Sequence, residues 1–136
     1  MRGERFAAAA DQMEPVLTNL AQRGLLYVDP RPNARRPAWQ HAVSGAYRGV
    51  DLVIDDPAGQ EAVDSALARL EVIALNRGSA IGLIGRPAPL TVDRVAVWLL
   101  GLEQRGLALA PVSAVVQMPQ APSSAIHANL QPRGSP

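Results

Sequence analysis

Three carboxylates and one arginine fall where a parallel α/β sheet would do chemistry. Asp29 follows the apolar run Leu25 to Val28, Asp55 and Asp56 follow Val50 to Ile54, and Arg86 follows Ser79 to Ile84. Short apolar runs bounded by glycine, proline and polar residues read as strands buried on both faces. In parallel sheets the C-terminal strand ends share one rim, and ligands bind there. Two carboxylates and an arginine on such a rim could hold a divalent cation, orient a water or grip an anionic group. A plainer reading stands beside this one. Asp-Pro and Asp-Asp-Pro are ordinary openings of turns and helices, so Asp29 and Asp55 could shape turns and Asp56 could cap the next helix. Arg86 could likewise be a surface arginine on a loop between strand and helix.

Other residue types offer less. His41 and His127 have no histidine, cysteine or acidic partners at metal-ligand spacing. Ser44 and Ser113 have no histidine nearby in a nucleophile–base pattern. No Gly-x-Gly-x-x-Gly or Gly-Lys-Ser/Thr run is present to cradle a phosphate. Trp39, Tyr47 and Trp98 could stack on a sugar, although Trp98 lies beside the apolar face of a helix and reads as core. With no cysteine, the chain has no disulfide, thiol nucleophile or thiolate metal site.

The elements that position the rim repeat one theme. Arg23-Gly24, Arg77-Gly78 and Arg105-Gly106 each end a helical pattern, and each is followed at once by an apolar run. Glycine takes the left-handed conformation that closes a helix, and the arginine before it faces the negative end of the helix dipole. Met13, Val16, Leu17 and Leu20 share one helical face, as do Val63, Ala66, Leu67, Leu70, Ile73 and Ala74. A third helix carries Val92, Val95, Leu99 and Leu102, with Thr91 as its expected N-cap. The first helix is expected to start between Asp11 and Glu14, near Pro15. A short helix is expected near Ala38 to Ser44 and a last strand over Leu107 to Ala110, with Val112 to Val116 extending it or opening another segment. Helices alternating with four strands predict an α/β fold with a parallel sheet and right-handed crossovers. The sequence opens on a helix, and four strands make a small sheet, so this reads as the second half of a larger domain.

Composition sets the outer bounds. The 136 residues are 48% apolar and 18% charged with a net charge of +1, which is enough for a core and too little basic charge for a dedicated nucleic-acid binder. Arg31, Arg35 and Arg36 cluster among Pro30, Pro32 and Pro37 and read as a solvated loop. No stretch is long and apolar enough to span a bilayer. From 117 to 136 the chain turns to proline, serine, glutamine and alanine and reads as a disordered tail.

Several runs together resemble the divergent polysaccharide deacetylases. These are Arg23-Gly24-Leu25-Leu26-Tyr27-Val28-Asp29, then Val53-Ile54-Asp55-Asp56, and then Gly78 to Thr91, where that family usually reads Gly-x-Ala-Ile-Ala-Ile-Gly-His-Pro-x-Pro-x-Thr. Leu107 to Ala114 is similar to the family's last strand, and Met1 to Phe6 to a segment after a mid-domain strand. The likeness covers residues 1 to 116. It implies the C-terminal half of a partial (β/α) barrel, with a missing N-terminal half as its partner and Met1 as an internal residue. It also implies a hydrolase of carbohydrate metabolism that removes N- or O-acetyl groups, using a divalent metal, zinc by expectation, to activate water. The family's Asp-Asp strand motif and metal ligands lie in the other half, so no metal residue is assigned here and the chain alone is expected to be inactive, free of tightly bound metal and marginally stable. By the same resemblance Arg86 and Asp55 are the candidate catalytic residues, and Asp29, Asp56 and Arg86 the candidate substrate-binding ones. Arg86 stands where the family has histidine. A guanidinium does not release a proton near neutral pH, so a non-catalytic carbohydrate-binding protein is the alternative, followed by an unrelated small α/β interaction domain. The family points to the cell envelope or periplasm.

Overall fold

A computed structural model describes residues 9–32 and 47–117. Its elements run in the order α1 (Ala10–Gln22), β1 (Tyr27–Asp29), β2 (Tyr47–Gly49), β3 (Leu52–Val53), α2 (Gln60–Arg77), β4 (Gly82–Leu83), α3 (Pro89–Leu99), a 3-10 turn (Glu103–Arg105) and α4 (Val112–Gln117). The expected helix near Ala38 to Ser44, with Trp39 and His41, lies outside the described residues. So do Met1 to Phe6, Arg35, Arg36 and the tail beyond Gln117 with His127.

Among the described residues the α/β alternation is present, as two pairs of short parallel strands among four helices. β1 pairs with β2 in the register Tyr27 to Tyr47 and Asp29 to Gly49, and β3 pairs with β4 in the register Leu52 to Gly82. No closed barrel forms among the described residues. The stretch from Tyr47 to Ile54 changes partner part-way. The Val50 N–H still donates to the Asp29 carbonyl, whereas the Asp51 N–H donates to the Ile81 carbonyl and that of Ile54 to Leu83. One strand-like segment therefore pairs first with β1 and then with β4.

Each pair buries its own helices. Met13 and Leu17 of α1 pack with Leu20, Tyr27 and Tyr47. Val63, Ala66, Leu67 and Leu70 of α2 pack on Ile54, with Leu52, Ala80, Ile84, Val95 and Trp98 around them. Gly82 permits this closeness, because a Cβ there would meet Ile54 Cδ1 at 2.7 Å and Leu70 Cδ2 at 2.8 Å. All three Arg-Gly glycines take the left-handed conformation, with φ of +68° at Gly24, +82° at Gly78 and +76° at Gly106, but the third closes a separate 3-10 turn, because α3 stops at Leu99 short of Leu102.

Three expectations are corrected. Thr91 is not a cap: α3 begins at Pro89 after Ala88, and proline's fixed φ suits the first helical position. Thr91 instead lies in the first turn and is buried, so the core face of α3 runs through Thr91, Val95 and Trp98 while Val92 is exposed. Asp56 does not cap α2, whose N-cap position is Gly59. Leu107 to Ala110 is not a strand; Leu109 is 77% exposed and finds no pairing partner among the described residues. Of the two expectations for Val112 to Val116, the structure shows the second: it opens another segment, the short helix α4, which turns Val115 and Val116 inward.

Candidate functional site

The C-terminal ends of β3 and β4 and the start of α3 border a cleft of about 860 Å³, closed on another side by the turn after β1. Asp55, Asp56 and Arg86 line it, together with Arg31 and Thr91. Pro30, Pro32, Val53 and Leu83 add apolar surface. Three of the four residues expected on one rim are thus brought together. Asp29 is not on the cleft surface. Its side chain is fully buried, directly behind Arg31.

Asp55 ties the two strand ends to each other. Its Oδ1 accepts the Gly85 N–H at 2.8 Å and its Oδ2 accepts the Arg86 N–H at 2.5 Å. Among the described residues the Arg86 guanidinium forms no ion pair with a rim carboxylate. Asp55 binds the Arg86 backbone instead, because an extended turn puts two consecutive N–H groups within reach of one carboxylate. The exposed guanidinium of Arg86 keeps its donors for other partners.

Arg31, read from sequence as part of a solvated loop, is held by Asp29. Oδ1 of Asp29 accepts the Arg31 backbone N–H at 3.0 Å and Nε–H at 2.9 Å, and Oδ2 accepts Nη2–H at 2.6 Å. The Tyr47 hydroxyl donates to the same Oδ2 at 2.8 Å, and its ring stacks on Tyr27 with centroids 5.7 Å apart. The sequence signal for this cluster was an aspartate two residues before an arginine, a spacing that allows an Asx-type turn. Tyr47, eighteen residues downstream, carries no such local signal.

These contacts set the titration behaviour. Burial opposes the charge on Asp29, but the bonds from Arg31 and Tyr47 outweigh it and hold the carboxyl below its ordinary range. Burial likewise opposes the charge on Asp55, and the N–H groups of Gly85 and Arg86 with the Arg86 charge outweigh it. Burial, then the bond to Asp29 and its charge, push the Tyr47 hydroxyl well up, so it remains a donor throughout the accessible pH range. A carboxylate whose folded pKa is lowered contributes stability that is complete above its unfolded value, about 3.9, and is lost as pH falls through the lower folded value. The difference in Tm between the wild type and Asp29→Asn should therefore be level above about pH 5 and shrink below about pH 4. A difference that instead widened below that point would contradict the bonding described for Asp29.

The described residues do not suit a metal. Among the described residues no three histidine, cysteine or acidic side chains are grouped to hold one. Asp55 on the cleft and Asp29 behind it already spend their oxygens on N–H and O–H donors.

Comparison with known proteins follows the same order of motifs. The family model for divergent polysaccharide deacetylase matches residues 1–116. This chain belongs to that family. Among solved structures it is similar to an uncharacterized protein from Agrobacterium tumefaciens, at 26% sequence identity and a TM-score of 0.73. The match takes in 82% of this chain and 46% of the other, so the chain spans about half the length of that neighbour. No curated protein matches. Membership sets aside the reading as an unrelated α/β domain. Among the described residues no helix is long and apolar enough to cross a membrane.

Proposed function

We propose that this deacetylase-family chain forms one side of a substrate cleft in a larger (β/α) barrel that removes N- or O-acetyl groups from carbohydrate. The strands that complete the barrel, and the ligands of its divalent metal, would come from sequence outside residues 1–116. The supporting observation is the Asp55 clamp. It fixes the Gly85–Arg86 turn at the cleft and leaves the Arg86 guanidinium unpaired there. The apolar surface of Pro30, Pro32, Val53 and Leu83 suits the C–H face of a sugar ring. Arg86 would donate to an acetyl or hydroxyl oxygen, and its charge would favour negative charge developing on that oxygen. The metal, when bound, would supply the activated water. Asp56, exposed at the cleft edge, would accept from sugar hydroxyls.

The arginine in place of the family's histidine favours a second reading, a cleft that binds acetylated glycan without turnover. A guanidinium can donate and attract, but it cannot pass a proton to a leaving group. Titration of a full-length parent, with the completing half present, with an N-acetylglucosamine oligomer and with its deacetylated counterpart, together with assay of acetate release, separates the two. Binding without acetate release supports the second reading. Arg86→Ala should weaken binding of the acetylated oligomer about tenfold or more, the order expected for a hydrogen bond to a charged group. Its stability should change by no more than about 0.5 kcal/mol, as for other surface positions. In a full-length parent, Arg86→His should raise acetate release if the cleft is catalytic. Should Arg86→Ala unfold the protein while the surviving fraction binds as before, Arg86 is structural and the cleft reading fails.

A further inference from the structure

We infer that the first turn of α3, with the Thr91 hydroxyl and Arg86, binds an anionic substituent of the glycan, so that the cleft takes an acidic sugar. The inference rests on the carbohydrate reading of the cleft and names its substrate class. Thr91 is 5% exposed and lines the cleft. Among the described residues its hydroxyl has no hydrogen-bond partner. The described side-chain atoms that are both sealed from water and without a partner belong to Arg48. The Thr91 hydroxyl is therefore not sealed, and it opens on the cleft that the residue lines. A polar group in a packed position costs free energy unless something bonds to it. Valine would fill the same volume without that cost.

The backbone beside Thr91 offers the same chemistry. Ala88 holds the N-cap position of α3, and no side chain caps the turn. The Val92 N–H donates to the Ala88 carbonyl, and Pro89 has no N–H. That leaves the N–H groups of Leu90 and Thr91 without an intrahelical acceptor. Such groups carry the positive end of the helix dipole and attract anions. Asp55, the carboxylate at the strand end, does not serve them, because it is committed to the Gly85 and Arg86 N–H groups. Arg86, two residues before the N-cap, adds a full positive charge on the same side of the cleft. Formal charge over the cleft is balanced, with Arg31 and Arg86 against Asp55 and Asp56. The attraction for an anion is therefore local to this turn. Two N–H groups, a hydroxyl and a guanidinium suit the several oxygens of a carboxylate or phosphate. A neutral sugar hydroxyl would leave most of those donors unmet.

Isothermal titration of a full-length parent, with the completing half present, tests this on two matched pairs of ligands. One pair is a hyaluronan tetramer, which carries glucuronate carboxylates, and the same tetramer reduced to its neutral alcohol. The other is N-acetylglucosamine 6-phosphate and N-acetylglucosamine. In at least one pair the acidic member should bind about tenfold or more tighter, the order expected for hydrogen bonds to a charged group. Added salt should narrow that gap. The pair that shows the preference tells carboxylate from phosphate. Thr91→Val should weaken the acidic member several-fold more than the neutral one, with Tm level or raised. A Thr91→Val variant that loses both members equally, or neither, overturns the inference. Wild-type protein that binds the neutral members as tightly as the acidic ones overturns it too, and leaves the carbohydrate reading standing. Absence of binding by all four ligands removes the carbohydrate reading, and this inference with it.

Discussion

Asp51→Ala is expected to cost about 3–5 kcal/mol, the usual penalty for removing one partner of a buried ion pair. That is a large part of the roughly 5–15 kcal/mol that holds a typical domain together. Asp51 is buried where β2 gives way to β3 and serves two arginines at once. Its Oδ1 accepts from Arg77 at 3.1 Å, and its Oδ2 accepts from Arg48 at 3.3 Å and from the Ile81 N–H at 2.8 Å. Arg48 is only 3% exposed, and its Nε and Nη1 find no acceptor. Without Asp51, Arg48 would keep only Ser79 as a partner for a buried charge. Arg48→Met should cost much less. It removes two unmet donor nitrogens and a desolvated charge, while Asp51 keeps Arg77 and the Ile81 N–H as partners. Urea unfolding of both variants decides the matter. Equal losses would mean that the Arg48 charge itself stabilises the fold.

Leu67→Ala should cost about 2–5 kcal/mol, from lost burial and the cavity left behind. Leu67 is 2% exposed at the centre of the cluster that joins α2 to Ile54 and α3. Leu75→Ala on the same helix is the control, since Leu75 is 59% exposed and should change stability by no more than about 0.5 kcal/mol. Comparable losses at both positions would mean that a second face of α2 is buried in solution.

The helices were legible because their signals are local. The apolar spacing from Val63 to Leu70 and the glycine after each terminal arginine mark a face and an end without reference to anything distant. Strand ends were legible for the same reason, and they put Asp55, Asp56 and Arg86 together. What the sequence concealed depends on partners. Tyr47–Gly49 pairs as a strand although Arg48 interrupts its apolar pattern, because Asp51 and Ser79 receive that arginine inside the fold. Leu107 to Ala110 has strand-like residues and no strand to join. Arg31 looked solvated because the carboxylate that holds it was assigned to the rim, and the tyrosine behind that carboxylate is remote in sequence.

The change of partner along Tyr47 to Ile54 makes that segment the gauge of the cleft. Arg31 is referenced to it through β1, and Arg86 through β4, so the gap between the two walls is measured along a single run of backbone. Each residue of strand advances about 3.3 Å. An insertion or deletion of one residue beside Asp51 would therefore reset the spacing of the two arginines by about 3.3 Å, while leaving each wall internally unchanged. Relatives that differ in length at that point would hold the two walls of the cleft at a different separation.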